Sequence, residues 1–397
     1  MNIPFSFGKV VRDDDFTDRT KETEKLLDNI HSLTNTAIIS PRRWGKSSLV
    51  AKVVTMASED KDYLIVRMNA FKCDDEQEFY ASYARNIMEQ ISTSAESLIN
   101  NAREFISTLL PKVSFSDPLS RYEISFGLDV VRNPISDDIL DLPQRIASKR
   151  GKKVVVCIDE FQQIGEFSNT LKFQKILRNH WQEHTDVAYI LYGSRKHMML
   201  NIFGEYKSPF YKFGDIMFLP KISNGDWRIY IMDRFRESGK TIDSDVAGYL
   251  AQSVENHPYY VQQLAQLSWL RCEETCTKET VDGALSSLLD SLNLQFMNIM
   301  DSVTDKQKSY LCALADGVSK MTSSHVLSSY KLGTNGNVRI IRNALMKRDL
   351  IDVEGKSVQI QDPVFKLWIQ RQYKYIGPLP DYIEVSNSLR KRRSFSK

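Results

Sequence analysis

The chain has 397 residues, of which 42% are hydrophobic and 26% charged, a balance that excludes a disordered or fibrous protein. Its length predicts two or three domains rather than one. The net charge of +3 excludes a basic field over the whole molecule, so any nucleic-acid partner would have to bind a local basic patch.

The five cysteines are odd in number and widely spaced, which is typical of reduced thiols in a cytoplasmic protein. Cys272 and Cys276 lack a second pair, so we expect no zinc site. His180 and His184 lack a third ligand and are expected on a solvated helix face. The first residues do not match a secretory signal, and apolar runs such as 154–158 are too short for a membrane span. We therefore expect no membrane partner.

Short apolar runs alternate with helical patterns in the first half of the chain. We predict a helix over 47–57 and, around it, four strands at 36–39, 63–68, 154–158 and 188–192. Buried strands alternating with helices predict the α/β fold of a P-loop NTPase, a parallel sheet with helices on both faces. Prolines between 111 and 143 predict an excursion over the sheet, with a small β-ribbon near 122–131.

After Pro220 the pattern becomes helical and then changes again. Three helices and a hairpin are predicted at 306–316, 323–330, 337–348, 350–353 and 357–360, which is a winged-helix arrangement. The predicted domains are a P-loop ATPase domain at 1–220, with the excursion at 111–143, a helical lid at 221–302, a winged helix at 303–376 and a basic tail at 377–397.

The segment from Ser40 to Ser47 joins the first strand to the first apolar helix. It matches the pattern G-x-x-x-x-G-K-[ST] except at its first glycine, where Ser40 should adopt the required backbone only at some cost. Such a loop aims backbone N–H groups and a helix N-terminus at a phosphate. Lys46 would then reach the β and γ phosphates, and Ser47 would hold Mg²⁺.

An acidic pair ends the third predicted strand. Asp159 is placed to bind Mg²⁺, and Glu160 to orient and activate the attacking water. Two such elements in the right order, with another strand between them, predict ATP and Mg²⁺ as cofactors.

These residues resemble the archaeal-type ATPases of the AAA+/STAND superfamily, whose loop reads G-P-R-R-x-G-K-[ST]-S-L. The resemblance covers most of the chain. It implies that Phe16 and Arg19 belong to a segment against adenine, that Ser194 senses the γ-phosphate or the attacking water, and that Pro258 in the lid packs on the base. The loop residues expected at the nucleotide are Ser40, Pro41, Arg42, Arg43, Trp44, Gly45, Lys46, Ser47 and Ser48.

One departure from the family concerns an arginine that often follows the sensor in the stretch P-L-Y-G-R. Residues 209–213 lack it, and a substitute at Lys212 could not make the planar bidentate contact of an arginine; Arg195 is another candidate. We therefore expect slow hydrolysis. For Arg42 and Arg43 we favour a structural or interface role over a catalytic one.

The third helix of the predicted winged helix carries a basic set. Double-stranded DNA is one partner for this face, and a protein docking or autoinhibitory role is the alternative. The residues of the set are Arg339, Arg342, Lys347 and Arg348.

The function that we expect is that of an ATP-binding and slowly hydrolysing switch that positions the winged helix. Two alternatives remain open: a DNA-binding ATPase of origin-recognition or transposition type, and a nucleotide-dependent interaction or defence-type scaffold without DNA contact. The expected partners are ATP and ADP, with duplex DNA and self-association on ATP binding as further candidates.

Overall fold

The computed structural model describes residues 3–8, 17, 19–92, 97, 101, 104, 105, 111–114, 123–126, 134–355 and 357–373. These residues form two compact units, one within 17–221 and the other made of 3–8 with 222–373. Phe16 and the predicted tail at 377–397 lie outside the described residues. No helix in the described ranges is long and apolar enough to cross a membrane.

The first unit is built from strands and helices that alternate along the chain. Its strands are β1 Thr36–Ile39, β2 Tyr63–Asn69, β3 Pro111–Ser114, β4 Glu123–Phe126, β5 Lys153–Asp159, β6 Val187–Gly193 and β7 Asp215–Phe218. Its helices are α1 Thr20–His31, α2 Lys46–Ser58, α3 Glu76–Ile91, α4 Pro134–Leu140, α5 Leu142–Arg150, α6 Thr170–Trp181 and α7 Lys196–Phe203, with short 3₁₀ helices at Ala70–Lys72 and Phe161–Glu166.

Five of these strands form one parallel sheet in the order β2-β5-β6-β1-β7. Successive side chains of a strand point to opposite faces, so Ala37 and Ile39 join one apolar core and Ile38 joins the other. Both faces are therefore buried under helices. This confirms the predicted α/β fold.

Strand β7 was not predicted, because its four residues begin with Asp215 and end with the exposed Phe218 and so do not form an apolar run. The ribbon predicted near 122–131 contains β4. Its antiparallel partner β3 lies upstream of that range.

The expectation for His180 and His184 was wrong. The His184 side chain is 3% exposed, and its ring nitrogens contact the Asp141 carboxylate at 3.2 Å and the Tyr189 hydroxyl at 2.8 Å. The Nδ1 atom of His180 lies 2.8 Å from the same carboxylate. The His180 and His184 side chains therefore face the junction of α4 and α5 rather than solvent, and burial lowers the pKa of His184.

The second unit is mostly helical. Its helices are α8 Asn224–Glu237, α9 Ser244–Ser253, α10 Pro258–Arg271, α11 Lys278–Ser291, α12 Asn293–Asp301, α13 Asp305–Ala315, α14 Ser324–Ser329, α15 Asn335–Lys347 and α16 Pro363–Gln372. Its strands are β8 Thr241–Ile242, β9 Thr275–Cys276, β10 Ile351–Glu354 and β11 Ser357–Ile360.

Helices α13 to α15 and the antiparallel pair β10–β11 form a winged helix, as predicted. Val338, Ile341 and Leu345 of α15 are buried, so the opposite face of this helix is exposed. The turn between the two strands contains Gly355 at φ 59°, a left-handed conformation that glycine adopts without strain.

One hydrophobic core runs through the helical segment and the winged helix of this unit. Polar contacts cross between the two segments as well: the Tyr260 hydroxyl donates to Asp362 at 2.5 Å, and Lys366 lies 2.8 Å from Glu255. Asp362 also accepts from two backbone N–H groups at the start of α16. The segment that leads into α10 is therefore tied directly to the last described helix.

Candidate nucleotide-binding site

The loop between β1 and α2 carries its unusual backbone at residues 43 and 45. Arg43 has φ 63° and Gly45 φ 90°, whereas Ser40 is not among the residues with positive φ. The cost expected for a serine at position 40 is therefore absent, because the left-handed turns fall later in the loop. Gly45 immediately precedes α2, whose N-terminal N–H groups supply the partial positive charge that attracts phosphate.

The Lys46 ammonium is buried at the centre of this loop. It donates to the carbonyl oxygens of Ser40 at 3.0 Å and Pro41 at 2.9 Å, and it lies 3.3 Å from the Ser40 hydroxyl. Burial lowers its pKa to about 8, although the charges of Glu160 and Asp159 oppose that shift. The loop thus holds a desolvated cation beside two carboxylates.

Ser47 and Asp159 are brought together by α2 and the end of β5. The Ser47 hydroxyl donates to the Asp159 carboxylate at 3.2 Å, and the backbone N–H of Glu160 donates to its other oxygen at 2.8 Å. A hydroxyl and a carboxylate are hard oxygen donors of the kind that Mg²⁺ uses together with substrate phosphates. The donor chemistry of the pair therefore fits this ion.

Burial, together with the neighbouring charge of Glu160, raises the pKa of Asp159 to about 6. A raised folded-state pKa means that ionised Asp159 destabilises the fold, fully above pH 6 and not at all well below pH 4. Without nucleotide and Mg²⁺, Asp159→Asn is therefore expected to raise the free energy of unfolding by about 2 kcal/mol at pH 8. Urea unfolding at pH 8 and 4.5 measures this gain, which should shrink at the lower pH.

The exposed Asp62 provides the control for that measurement, because Asp62→Asn should leave stability unchanged at both pH values. A gain for Asp159→Asn that does not depend on pH would contradict the electrostatic explanation.

Glu160 sits in a left-handed conformation, with φ 51°, at the junction of β5 and the 3₁₀ helix Phe161–Glu166. One of its carboxylate oxygens, Oε2, accepts from the Ser194 hydroxyl at 2.9 Å and also from the amide of Gln162. A non-glycine residue in this backbone region is uncommon and is concentrated at functional sites. Gln162 was not among the predicted site residues. The one indication in the sequence was its position two residues after Glu160, next to the apolar Phe161.

Arg19 is 3% exposed and links the segment before α1 to the loop. Its guanidinium donates to the carbonyl oxygens of Pro220 at 2.7 Å and of Trp44 at 3.3 Å, and it pairs with Glu22. These contacts tie the loop to the end of the first unit. Pro258 occupies the first turn of α10 in the second unit.

The basic residues considered as replacements for the missing arginine have contacts elsewhere. Arg195 forms an ion pair with Glu166, and the Lys212 ammonium lies 5.6 Å from the centre of the Tyr211 ring. Arg42 and Arg43 are exposed at the surface of the loop. Within the described residues, the first unit thus brings together Lys46, two carboxylates and two hydroxyls. Arg42 lies close enough for its charge to lower the pKa of Lys46 further.

The predicted basic set on α15 is not uniform. Arg339 and Lys347 are exposed and Arg342 is half-buried, whereas the guanidinium of Arg348 donates to the backbone and hydroxyl oxygens of Ser302 at 2.7 and 2.6 Å. Arg348 therefore anchors the end of α15 to the end of α12.

Comparison with known proteins supports what the site suggests. A family model described as an ATPase domain predominantly from Archaea matches residues 16–264, and one described as a probable winged helix domain matches residues 294–371. No curated protein matches the sequence.

Two solved structures share the fold at low sequence identity. The Walker-type ATPase of Pyrococcus abyssi is similar over 92% of this chain and 99% of its own, at 14% identity and a TM-score of 0.64. The ORC2 protein of Aeropyrum pernix, solved as ADPNP-ADP complexes, is similar over 92% and 98%, at 14% identity and a TM-score of 0.54.

The parallel sheet, the loop around Lys46 and the acidic pair at the end of β5 define a nucleotide-binding P-loop ATPase with a C-terminal winged helix. Because the first family match spans more than half of the chain, the protein belongs to the ATPase family found predominantly in Archaea.

Proposed function

We propose that this protein is a slow ATP-dependent switch whose nucleotide state controls how the winged helix is presented to a partner. The observation that carries the proposal is the cluster formed by Lys46, the Ser47–Asp159 pair and the Glu160–Ser194 pair within one unit. Each group in this cluster matches one requirement of ATP hydrolysis.

In the proposed mechanism, Lys46 neutralises the β and γ phosphates, and the N-terminus of α2 adds its dipole. Ser47 and Asp159 would hold Mg²⁺, which neutralises developing charge on the phosphates when it is bound. Glu160 orients the attacking water and accepts its proton, while Ser194 contacts the γ-phosphate or that water. Arg19, through its bond to the Trp44 carbonyl, keeps the loop in place.

Slow turnover is expected because residues 209–213 lack the arginine that often follows the sensor in this family, and because Arg195 is paired with Glu166. An arginine that stabilises the transition state contributes about 10³- to 10⁵-fold to the hydrolysis rate in P-loop NTPases. We expect a kcat below about 0.1 s⁻¹ for the isolated chain, measured as steady-state phosphate release. A kcat of about 10 s⁻¹ or more would contradict the switch and favour a fast motor.

The shared core of the second unit supports the switch. Since the helical segment and the winged helix are joined by one core and by the Tyr260–Asp362 contact, a nucleotide-driven movement of the first would carry the second with it. The winged helix would then move as part of a larger body, with no hinge of its own.

Duplex DNA is the second candidate partner, favoured by the exposed face of α15. Arg339 and Lys347 offer charge for phosphates on this face. Between them lie the exposed Asn343 and Ile340, whose side chain is 68% exposed at the middle of the helix. In a major groove, an asparagine such as Asn343 is suited to bind adenine, and an apolar side chain such as Ile340 is suited to contact the thymine methyl group.

Fluorescence anisotropy with a labelled duplex at two salt concentrations tests this candidate. DNA binding predicts an affinity that falls with salt and falls further in Arg339→Glu and Arg342→Glu variants. Arg236→Glu, an exposed position on α8, is the control and should bind as the wild type does. Equal binding by all four proteins would exclude α15 as the DNA-contacting face.

A protein-interaction scaffold that assembles on ATP is the remaining alternative, for which the exposed Arg42 and Arg43 are candidate interface residues. Mass measurement with and without ATP distinguishes it, because assembly would multiply the mass while the switch alone would leave it unchanged.

A further inference from the structure

We infer that Gln162 is a positioning residue for the catalytic carboxylate, holding Glu160 through its side-chain amide. This inference rests on the proposed ATPase function and assigns a role to a residue that the reaction itself does not require. The two side chains are in direct hydrogen-bond contact, with the amide nitrogen of Gln162 donating to Oε2 of Glu160.

Local backbone geometry creates this contact. The left-handed turn at Glu160 ends β5 and starts the 3₁₀ helix, which brings residue 162 back beside residue 160. Gln162 is 3% exposed, between the fully buried Phe161 and Ile164. A carboxylate only accepts hydrogen bonds, so the amide must present its nitrogen to Glu160 and its oxygen to the other side.

Gly193, at the end of β6, makes room for that oxygen. A Cβ atom added at residue 193 would lie 1.8 Å from Oε1 of Gln162. Within the described part of the chain, Oε1 has no hydrogen-bond partner. A buried amide with an unsatisfied oxygen costs stability, so a purely structural role would be served better by an apolar side chain.

The arrangement has a direct consequence for Glu160. Both Gln162 and Ser194 donate to Oε2 of Glu160, and neither donates to Oε1 of Glu160. The Oε1 atom of Glu160 therefore keeps its capacity to accept a proton from water. If Ser194 turns to the γ-phosphate or the water, the Gln162 amide remains as the donor that fixes the carboxylate. Preorganisation of this kind depends on a supporting residue with little freedom of its own.

The test compares Gln162→Leu in the full chain with the neighbouring Gln163→Leu as the matched control. Gln163 is half-buried, and within the described residues only its backbone N–H is bonded to Glu160. Gln162→Leu should lower kcat for ATP about 10- to 100-fold, as loss of an outer supporting contact does. In Gln162→Leu the Kd for MgADP should not rise and the melting temperature should not fall. Gln163→Leu should keep the wild-type kcat.

Two further variants test the same contact independently. Gly193→Ala, whose added Cβ would lie 1.8 Å from the amide oxygen of Gln162 and 2.8 Å from the sulfur of Met199, should lower kcat similarly. In a Glu160→Gln background, Gln162→Leu should cause no further loss, since residues that act as one unit are not additive.

An unchanged kcat in Gln162→Leu, a parallel loss of MgADP affinity and melting temperature, or additive losses in the double variant would each overturn the inference. The proposed ATPase activity fails on a separate result, which is the absence of ATP hydrolysis by the wild-type chain.

Discussion

ATP binding is expected to be lost when Lys46 is replaced by alanine. The ammonium is the buried cation at the centre of the loop, and its three oxygen contacts show that the loop converges on this atom. Removing a desolvated charge that pairs with phosphate typically costs about 2 to 5 kcal/mol, so we expect the Kd for MgATP to rise by about 30-fold or more. Calorimetric titration of the purified chain measures this change.

Lys52→Ala provides the matched control, because Lys52 lies on the exposed side of the same helix. It should bind ATP as the wild type does. An unchanged Kd in Lys46→Ala would mean that the nucleotide binds elsewhere, and the site described above would be wrong.

Glu160→Gln is expected to retain ATP but to block its turnover. Glutamine has the same shape and can still accept from Ser194 and Gln162, so the fold of the site should survive. It cannot take a proton from water, and loss of a general base lowers kcat by about 10²- to 10⁴-fold. Phosphate release and calorimetry on the same preparation separate these two effects.

Glu166→Gln is the control for this prediction, since Glu166 is an exposed carboxylate nearby that pairs with Arg195. It should hydrolyse ATP at close to the wild-type rate. Normal phosphate release from Glu160→Gln would refute the role assigned to Glu160 while leaving the binding site intact.

Much of the fold could be predicted because its signals are local. Apolar strands of the central sheet are buried on both faces and therefore appear as continuous hydrophobic runs, as in 154–158. The helices and hairpin of the winged helix follow from periodicity and from turn residues such as Gly355. The short strand β7 escaped prediction because its place in the sheet comes from pairing with β1, which its own four residues do not encode.

The site was predictable to the extent that chemistry and sequence spacing coincide. Lys46, Ser47, Asp159 and Glu160 follow from two motifs, and the 3.2 Å contact between Ser47 and Asp159 lies across 112 residues of sequence. Gln162 was missed because its role depends on a left-handed turn at Glu160, a conformation that glutamate rarely adopts.

Two errors have the same physical origin. Ser40 was assigned a strained backbone from its position in a pattern, whereas the left-handed residues are Arg43 and Gly45. The spacing of His184 predicted a solvent-facing side chain, whereas Asp141, at the junction of α4 and α5, is its partner. In both cases a contact or a dihedral angle decided the outcome, and neither can be derived from residue spacing.

The central claim is that the nucleotide bound at Lys46 and Glu160, ATP or ADP, controls the second unit, which contains the winged helix. Hydrogen–deuterium exchange of the Glu160→Gln chain with MgATP, compared with MgADP, tests it most directly, because this variant holds ATP without turning it over. We predict that amide protection changes at residues 40–47 and also within 222–373, including the segment 255–260 that leads into α10. A change confined to the first unit would contradict the switch.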